Sequence, residues 1–519
     1  MTTIIKLLDW LDRLNRRWLM GALIALSLLI KIGIWVQSPV ITADGPVYIA
    51  QAEEFLRGNW QHGLALNGNL FIYPLLIAGL GYIGVDLFVA GRLLSLCFSV
   101  STIIPLFLLT SCLFNRRVAF WASLAFAVAP SLNEYSVYVM RDPGFLCMFA
   151  WAVYFAVRAI DEERFRFFLF SLGFSFLSFL FRVEGFFFPF FLVIFILGDA
   201  IGRRAWLSPF FKKVVVLLIL LTLGAAVSGW VFSEKLLRFN RLGNVIQMSK
   251  MPFDKGVFSY HPQVEAELKK MEAVIPQGQV DNDFAEIARE NIRFIYFVGL
   301  MANVKKVLYP AFFFAALFGL IAFRGYRSSQ GLFLWLIGSY LLILFLYLLH
   351  RSFLETRYVY APVFLLLPWV GYGIERFLGW LNQKQCLPRV VPPLLIALLF
   401  AIPGVESATE VKRQFLSAKQ AGEWLAAHPE INTGAIISNR REITFYAKRG
   451  LDLIFPRSID PDYLAPLAKQ INVELISILR ERDEEPVDLR IENFVLLEKF
   501  TDRRYETFIF RKQDESSGN

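Results

Sequence analysis

The chain predicts a mainly α, polytopic membrane protein with about eleven transmembrane helices and a small outer α/β domain behind them. Three observations carry this. Hydrophobic residues make up 56% of the chain, against roughly 45–50% in soluble domains, and mean hydropathy is +0.50. Apolar runs near the length of a bilayer span, about 20 residues, recur from residue 18 to residue 404. From 405 onward the pattern changes to alternating helix and strand signals.

Candidate spans fall at 18–36, 86–112, 118–133, 143–158, 167–181, 186–200, 214–232, 307–323, 331–349, 358–374 and 391–404. The first has basic residues before it and no small-residue cleavage site after it, which predicts an uncleaved span rather than a signal peptide. "NLFIYPLLIAGLGYIG" (69–84) is apolar but short and broken by Pro74 and glycines. It reads as an interfacial segment, because only then do the charges sort. With it lying flat, Arg16, Arg17, Arg116, Arg117, Arg203, Arg204, Lys212 and Lys213 fall on one side together with ten further Lys and Arg. The short loops opposite hold only Arg57, Arg141, Arg182, Arg351 and Arg357. Excess Lys and Arg mark the cytoplasmic side. The expectation is a cytoplasmic N-terminus, with loops 37–85 and 233–306 outside, a transmembrane domain over 1–404 and a soluble outer domain over 405–519.

In that tail, "VKRQFLSAKQAGEWLAAHP" predicts an amphipathic helix stopped by Pro429. "GAIIS", "VELISIL", "NFVLLEKF" and "YETFIFRK" predict strands from their β-branched and aromatic content. The net charge of +9 is accounted for by cytoplasmic loops and does not argue for nucleic acid. Cys97, Cys112, Cys147 and Cys386 lack paired spacing and predict packed thiols, not a disulfide or zinc framework.

The outer arginines break the charge rule, so each needs a reason. Four clusters stand at span ends on that face: "TADGPVY" (Asp44, Tyr48), "MRDPG" (Arg141, Asp142), "FRVEG" (Arg182, Glu184) and "HRSFLETRYVYAP" (Arg351, Glu355, Arg357, Tyr358). Each has a plainer reading. Asp44 and Asp142 both precede a helix and suit a cap, Arg182 and Glu184 suit a self-satisfied pair, and Arg351 and Arg357 suit lipid-headgroup anchors. Taken together, ionisable groups of both signs at one membrane face mark a site or a pathway.

These clusters resemble the GT-C class of membrane glycosyltransferases, in the bacterial branch related to dolichyl-phosphate-mannose protein mannosyltransferases (glycosyltransferase family 39) and aminoarabinose transferases. "ADGPVYIAQAEEFLRGNW" resembles the family's acid-headed first outer loop. "NLFIYPLLIAGLGYIGVDLFVAGRLLSLCFSV" resembles its interfacial segment and second span. "EYSVYVMRDPGF", "FLFRVEGFFFPF" and "ETRYVYAPVFLLLPW" resemble the second outer loop, the Arg-x-Glu-Gly turn and the late Arg-Tyr-x-x-x-Pro element. There are departures. Asp44 is followed by Gly where protein mannosyltransferases have Glu, the Lys-Pro-Pro of aminoarabinose transferases is missing near Asn69–Tyr73, and no Trp-Trp-Asp signature occurs.

The resemblance implies a sugar donor carried on a polyprenyl phosphate, transferred at the outer face of a bacterial inner membrane to a glycan, glycolipid or protein acceptor. The chemistry then asks for a base to take the acceptor's hydroxyl proton, and Asp44 is the candidate. It asks for cations on the departing phosphate, for which Arg357 and Arg351 are candidates, with Tyr358 as a hydrogen-bond donor. Asp142 is the candidate second acid, with Arg141 beside it, while Tyr48, Arg182 and Glu184 shape the site. One base without a covalent intermediate implies inversion at the anomeric carbon. No cofactor is required. A divalent ion shared by Asp44 and Asp142 is the alternative to a metal-free site. The rival function is a transporter or flippase of a lipid-linked saccharide, which usually shows internal repeats or broken helices at mid-membrane.

Overall fold

The computed structural model describes residues 13–66, 70–202, 208–219, 264, 266, 283–325, 327–383, 391–409, 415–482 and 490–513. Helix α1 (Arg16–Gln37) is capped by Asn15, whose side chain accepts from the Arg17 N–H at 2.9 Å. Then come α2 (Gly45–Leu56), α3 (Trp60–Leu66) and α4 (Ile72–Tyr82). At 11 residues α4 is about 16 Å long, half the ~30 Å hydrocarbon thickness, as an interfacial segment requires. Helices α5 (Leu87–Ser101) and α6 (Ile103–Leu113) continue as one 27-residue apolar rod.

Next are α7 (Arg116–Val128), α8 (Pro130–Glu134), a 3-10 turn over Tyr135–Val137, α9 (Asp142–Glu162) and α10 (Phe165–Phe181). A 3-10 turn over Val183–Phe186 leads into α11 (Phe187–Gly202), and a helical stretch covers 209–219. Helices α12 (Asp283–Glu290), α13 (Ile292–Leu308), α14 (Pro310–Ala322) and α15 (Ser328–Arg351) follow. A 3-10 turn over Thr356–Val359 joins α15 to α16 (Tyr360–Gln383), and α17 (Val391–Thr409) ends the bundle.

By length and composition α1, α5–α6, α9, residues 183–202 and α15 can each cross a membrane, and so can the bent pair α13–α14. The other predicted spans are helical but shorter or less apolar, and 214–232 lies outside the described residues beyond 219. Two boundaries differ from expectation. The span expected at 307–323 starts at Pro310, because Tyr309 takes a positive φ of 77° and α13 meets α14 at 109°. The span expected at 118–133 ends at Val128, because Pro130 opens a separate helix. Cys97, Cys112 and Cys147 are free thiols, and Cys386 lies outside the described residues.

The bundle packs closely. A Cβ on Gly373 of α16 would stand 1.9 Å from the Ala315 carbonyl oxygen of α14, so these backbones meet only where side chains are absent. A polar staple crosses the interior. Lys31 is fully buried and donates to Ser27 Oγ and Asn133 Oδ1, both at 2.6 Å. Asn133 in turn donates to Ser407 Oγ at 2.8 Å. This staple joins α1, α8 and α17.

After the bundle, α18 (Leu416–Ala427), α19 (Arg441–Tyr446) and α20 (Pro461–Ile471) pack on a sheet of β1 (Ile436–Ser438), β2 (Leu475–Glu481), β3 (Phe494–Thr501) and β4 (Tyr505–Lys512). The order is β1-β2-β4-β3, with β1 parallel to β2 and the other pairs antiparallel. Strand alternation sends Leu475 and Leu479 towards α18 and Ile476 and Ile478 towards α20. All four strands form where β-branched and aromatic residues predict them.

Candidate active site

The loop from Ser38 to Asp44 leaves α1 and turns back into α2. Its turn is closed by the Gly45 N–H donating to the Thr42 carbonyl at 2.9 Å. Asp44 stands at the N-cap of α2, yet its carboxylate makes no cap hydrogen bond, and Pro46 occupies the first turn. The side chain instead accepts from Arg357 Nη1 at 2.5 Å. Arg357 sits in the 3-10 turn before α16 and also pairs through Nε with Glu355.

Asp142 repeats the pattern. It opens α9 without capping it. Its Oδ1 accepts from Arg182 Nη1, while Arg182 also holds Glu184 through Nε and Nη2. The Arg182 guanidinium lies 5.3 Å from the Tyr358 ring centroid, within cation–π range. Both acids therefore head helices, where the N-terminal dipole favours an anion, and both spend their side chains on an arginine far away in sequence.

Between the clusters lies Arg141. Its guanidinium stands over the Tyr48 ring at 5.8 Å, and buried Nε and Nη1 have no hydrogen-bond acceptor. Asp142 Oδ2 is likewise buried without a donor. Tyr48 packs edge-on against Tyr73 at 5.5 Å, and Tyr73 donates to the Gly91 carbonyl at 2.8 Å, so α2, α4 and α5 are locked together beneath the loop.

The charges tune one another. Burial pushes the Asp44 carboxyl up, but the Arg357, Arg141 and Arg441 guanidiniums outweigh it and hold it below the ordinary value. Burial would lower Arg357, but Asp142 and Asp44 outweigh it, so the guanidinium stays charged. Burial pushes the Tyr48 phenol up to about 12. From α19, Glu442 comes near Asp44 with both carboxylate oxygens buried and unpartnered. Burial pushes its carboxyl above the ordinary value, against the pull of Arg440 and Arg441.

Asp44, Glu355 and Arg357 line a cavity of about 270 Å³, closed by Glu134, Tyr135 and Tyr138. The same three residues also wall a larger cavity of about 900 Å³. That second hollow runs between α1, α8, the α13–α14 bend and α17, with Leu395, Leu398 and Ile402 along it and Lys305 and Lys306 among its polar groups. Among the described residues no group of three His, Cys, Asp or Glu side chains is placed to hold a metal ion. Asp44 and Asp142 each face a guanidinium instead.

Residues 70–230 match the family described as dolichyl-phosphate-mannose-protein mannosyltransferase. No curated protein sequence matches the chain. Among solved structures, the chain is similar to the archaeal oligosaccharyltransferase AglB of Archaeoglobus fulgidus, in complex with an inhibitory peptide and a dolichol-phosphate. Identity is 12%, the match covers 89% of this chain and 69% of that one, and the TM-score is 0.56. It is also similar to ArnT from Cupriavidus metallidurans bound to undecaprenyl phosphate, at 12% identity over 95% of this chain and 98% of that one, with a TM-score of 0.53. The chain has the GT-C fold.

Within this GT-C fold, Asp44, Tyr48, Arg141, Asp142, Arg182, Glu184, Arg357 and Tyr358 gather at one end of the bundle. Arg351 does not join them. It is exposed at the end of α15, and Ser352 at φ 52° turns the chain before Glu355. Asp142 is fully buried behind Arg182 and does not line the cavity. Glu134, Tyr135 and Tyr138 do line it. All three lie in "EYSVYVMRDPGF", where sequence reasoning singled out only Arg141 and Asp142. The signal was Pro130, which ends the apolar run before it and frees the next residues to turn.

Proposed function

We propose that this chain is a glycosyltransferase that moves a sugar from a polyprenyl-phosphate donor to an acceptor hydroxyl, with inversion and with Asp44 as general base. The observation that carries the reading is the Asp44 carboxylate. It heads a helix without capping it and stands ionised on a cavity wall, bonded to an arginine that an anionic substrate can draw away. Support for the lipid donor comes from the match of residues 70–230 to a dolichyl-phosphate-mannose-dependent family and from the fold shared with two proteins solved with polyprenyl phosphates.

The acceptor oxygen forms the new bond to the anomeric carbon as its proton passes to Asp44. The bond from that carbon to the phosphate oxygen breaks, and the polyprenyl phosphate leaves with the electron pair. Arg141, whose buried Nε and Nη1 lack an acceptor, is the anchor for that phosphate once the donor enters, and Arg357 joins it. A phosphate that competes for Arg357 loosens the Asp44 pair and raises the carboxylate's proton affinity, so the base strengthens when the donor is bound. Arg182, Asp142 and Glu184 hold the floor of the site, and Tyr358 is fixed against Arg182. Tyr48, uncharged, supports Arg141 from below. Arg351 takes no part.

In this reading the site lies at the outer face of a bacterial inner membrane, with the N-terminus cytoplasmic and residues 405–519 outside, and the excess of Lys and Arg in the opposite short loops supports that orientation. The acceptor is a glycan, glycolipid or protein, and no metal enters the scheme. The test is Asp44→Asn in membranes supplied with a labelled polyprenyl-phosphate sugar. Transfer is expected to vanish at unchanged expression; retained transfer removes Asp44 as base.

A further inference from the structure

The loop that carries Asp44 is gripped from outside the helix bundle. Tyr446, the last residue of α19, accepts a hydrogen bond from the Ile41 N–H at 2.8 Å and lies 3.2 Å from the Pro39 carbonyl, to which its hydroxyl donates. Lys419 of α18 reaches the same carbonyl at 3.5 Å, and its ammonium lies 5.6 Å from the Tyr446 ring centroid. Phe445 meets Phe88 of α5 at 6.3 Å.

A short chain of contacts runs from this grip to the carboxylate. Ile41 is 2% exposed, and its Cγ1 lies 2.4 Å from where a Cβ on Gly45 would stand. Gly45 closes the turn on Thr42 and directly follows Asp44. One phenol thus fixes Pro39 and Ile41, and the turn that begins at the next residue, Thr42, carries the proposed base.

We propose that Tyr446 is a positioning residue for transfer: the sheet-bearing C-terminal region is part of the catalytic apparatus because it sets Asp44 against Arg357. The proposal rests on the assignment of Asp44 as base. It makes a specific demand on pH dependence. Asp44 faces Arg357 from the 3-10 turn before α16, with Glu355 behind it. Arg141 faces it from the start of α9, Tyr48 from its own helix, Arg441 and Glu442 from α19, and Glu134 from across the cavity. Arg357 is the hydrogen-bonded cation among them. A loop released by Tyr446 moves Asp44 off Arg357, and its carboxyl then rises towards the ordinary value near 3.9.

The experiment uses the full chain in lipid vesicles with a labelled polyprenyl-phosphate sugar. Tyr446→Phe keeps the ring and removes both hydrogen bonds. The expected result is a kcat about tenfold lower, an unchanged KM for the donor, and an acid limb of the kcat/KM profile, which reports the free enzyme, displaced to higher pH. A role confined to docking the C-terminal region lowers the rate without displacing the limb, and that outcome overturns the proposal, as does a wild-type profile. Lys419→Met, which loosens the same loop from a second helix, is expected to displace the limb in the same direction by less. Asp44→Asn is assayed alongside. If it still transfers sugar, the base assignment fails. If it is inactive while Tyr446→Phe keeps the wild-type limb, the base assignment stands and the positioning role fails.

Discussion

Two acid–arginine clusters stand side by side in this protein, built from the same residue types and differing in burial. In Asp142–Arg182–Glu184 the paired side chains are 0%, 5% and 26% exposed. In Asp44–Arg357–Glu355 they are 34%, 16% and 36% exposed. Arg182 bridges two carboxylates with an aromatic ring over it and has no room to change partners. Arg357 bridges two carboxylates at a cavity wall, where an incoming anion can replace one of them. The comparison teaches that an ion pair's chemistry is set by whether either partner can exchange. The buried cluster is scaffold, and the open one is a switch between a paired and a released carboxylate.

The largest effect that can break this contrast is on stability. Arg182→Ala leaves Asp142 buried without its hydrogen-bonded cation, a class of change that costs about 3–5 kcal/mol. The folded yield in detergent and the thermal unfolding midpoint are expected to fall sharply. Arg357→Gln is expected to do the reverse. Its pair is partly solvated, where such contacts contribute about 1 kcal/mol or less, so the midpoint stays close to wild type while transfer falls at least tenfold and the donor KM rises. If both variants lose the same stability, the two clusters are not different in kind.

Gly45→Ala probes the open cluster through its backbone. The new methyl meets Ile41 Cγ1, and transfer is expected to drop severalfold with the fold retained, as read by unfolding midpoint and rate together. This contact also accounts for the glycine after Asp44, where protein mannosyltransferases carry glutamate.

The smallest effect concerns Glu442. Its folded carboxyl lies above the ordinary value, so the fold disfavours its charged form, and the stability fully present below the ordinary glutamate value near 4.3 is lost as pH rises from there through the raised one. Glu442→Gln is expected to gain stability over wild type as pH rises above the ordinary value and to match it below. A midpoint difference that does not change with pH contradicts this. Asp44 has the opposite sign. Its pairing stabilises above the ordinary aspartate value and is lost as pH falls through its lowered one.

Much of this was legible in the sequence, for identifiable reasons. Apolar length found α1, α5–α6, α9 and α15 because burial in hydrocarbon leaves few alternatives. Strand composition found β1 to β4. The helix expected at 307–323 is present as Pro310–Ala322, but its bend from α13 was not foreseen because hydropathy has no direction: α13 and α14 are both apolar, and only the Tyr-Pro step at 309–310 marks the bend. In the site, acids and arginines at span ends announced themselves through their cost. Arg351 was chosen as one of the outer arginines that break the charge rule, and it stands exposed at the end of α15 with the left-handed Ser352 after it. Tyr446 and Glu442 carried no signal, since a tyrosine and a glutamate in a soluble-looking helix are ordinary until tertiary contacts reveal what they touch.

The staple of Lys31, Asn133 and Ser407 has a consequence for biogenesis. Helices α1 and α17, far apart in the chain, share one buried ammonium, its amide partner and the hydroxyl that completes the network. Until α17 arrives, the asparagine holding that ammonium lacks its serine, so this network closes only after α17 has been synthesised, with the sheet-bearing region still to follow. A nascent chain arrested before residue 391 carries an incompletely satisfied polar core in its membrane, the kind of lesion a quality-control protease can recognise.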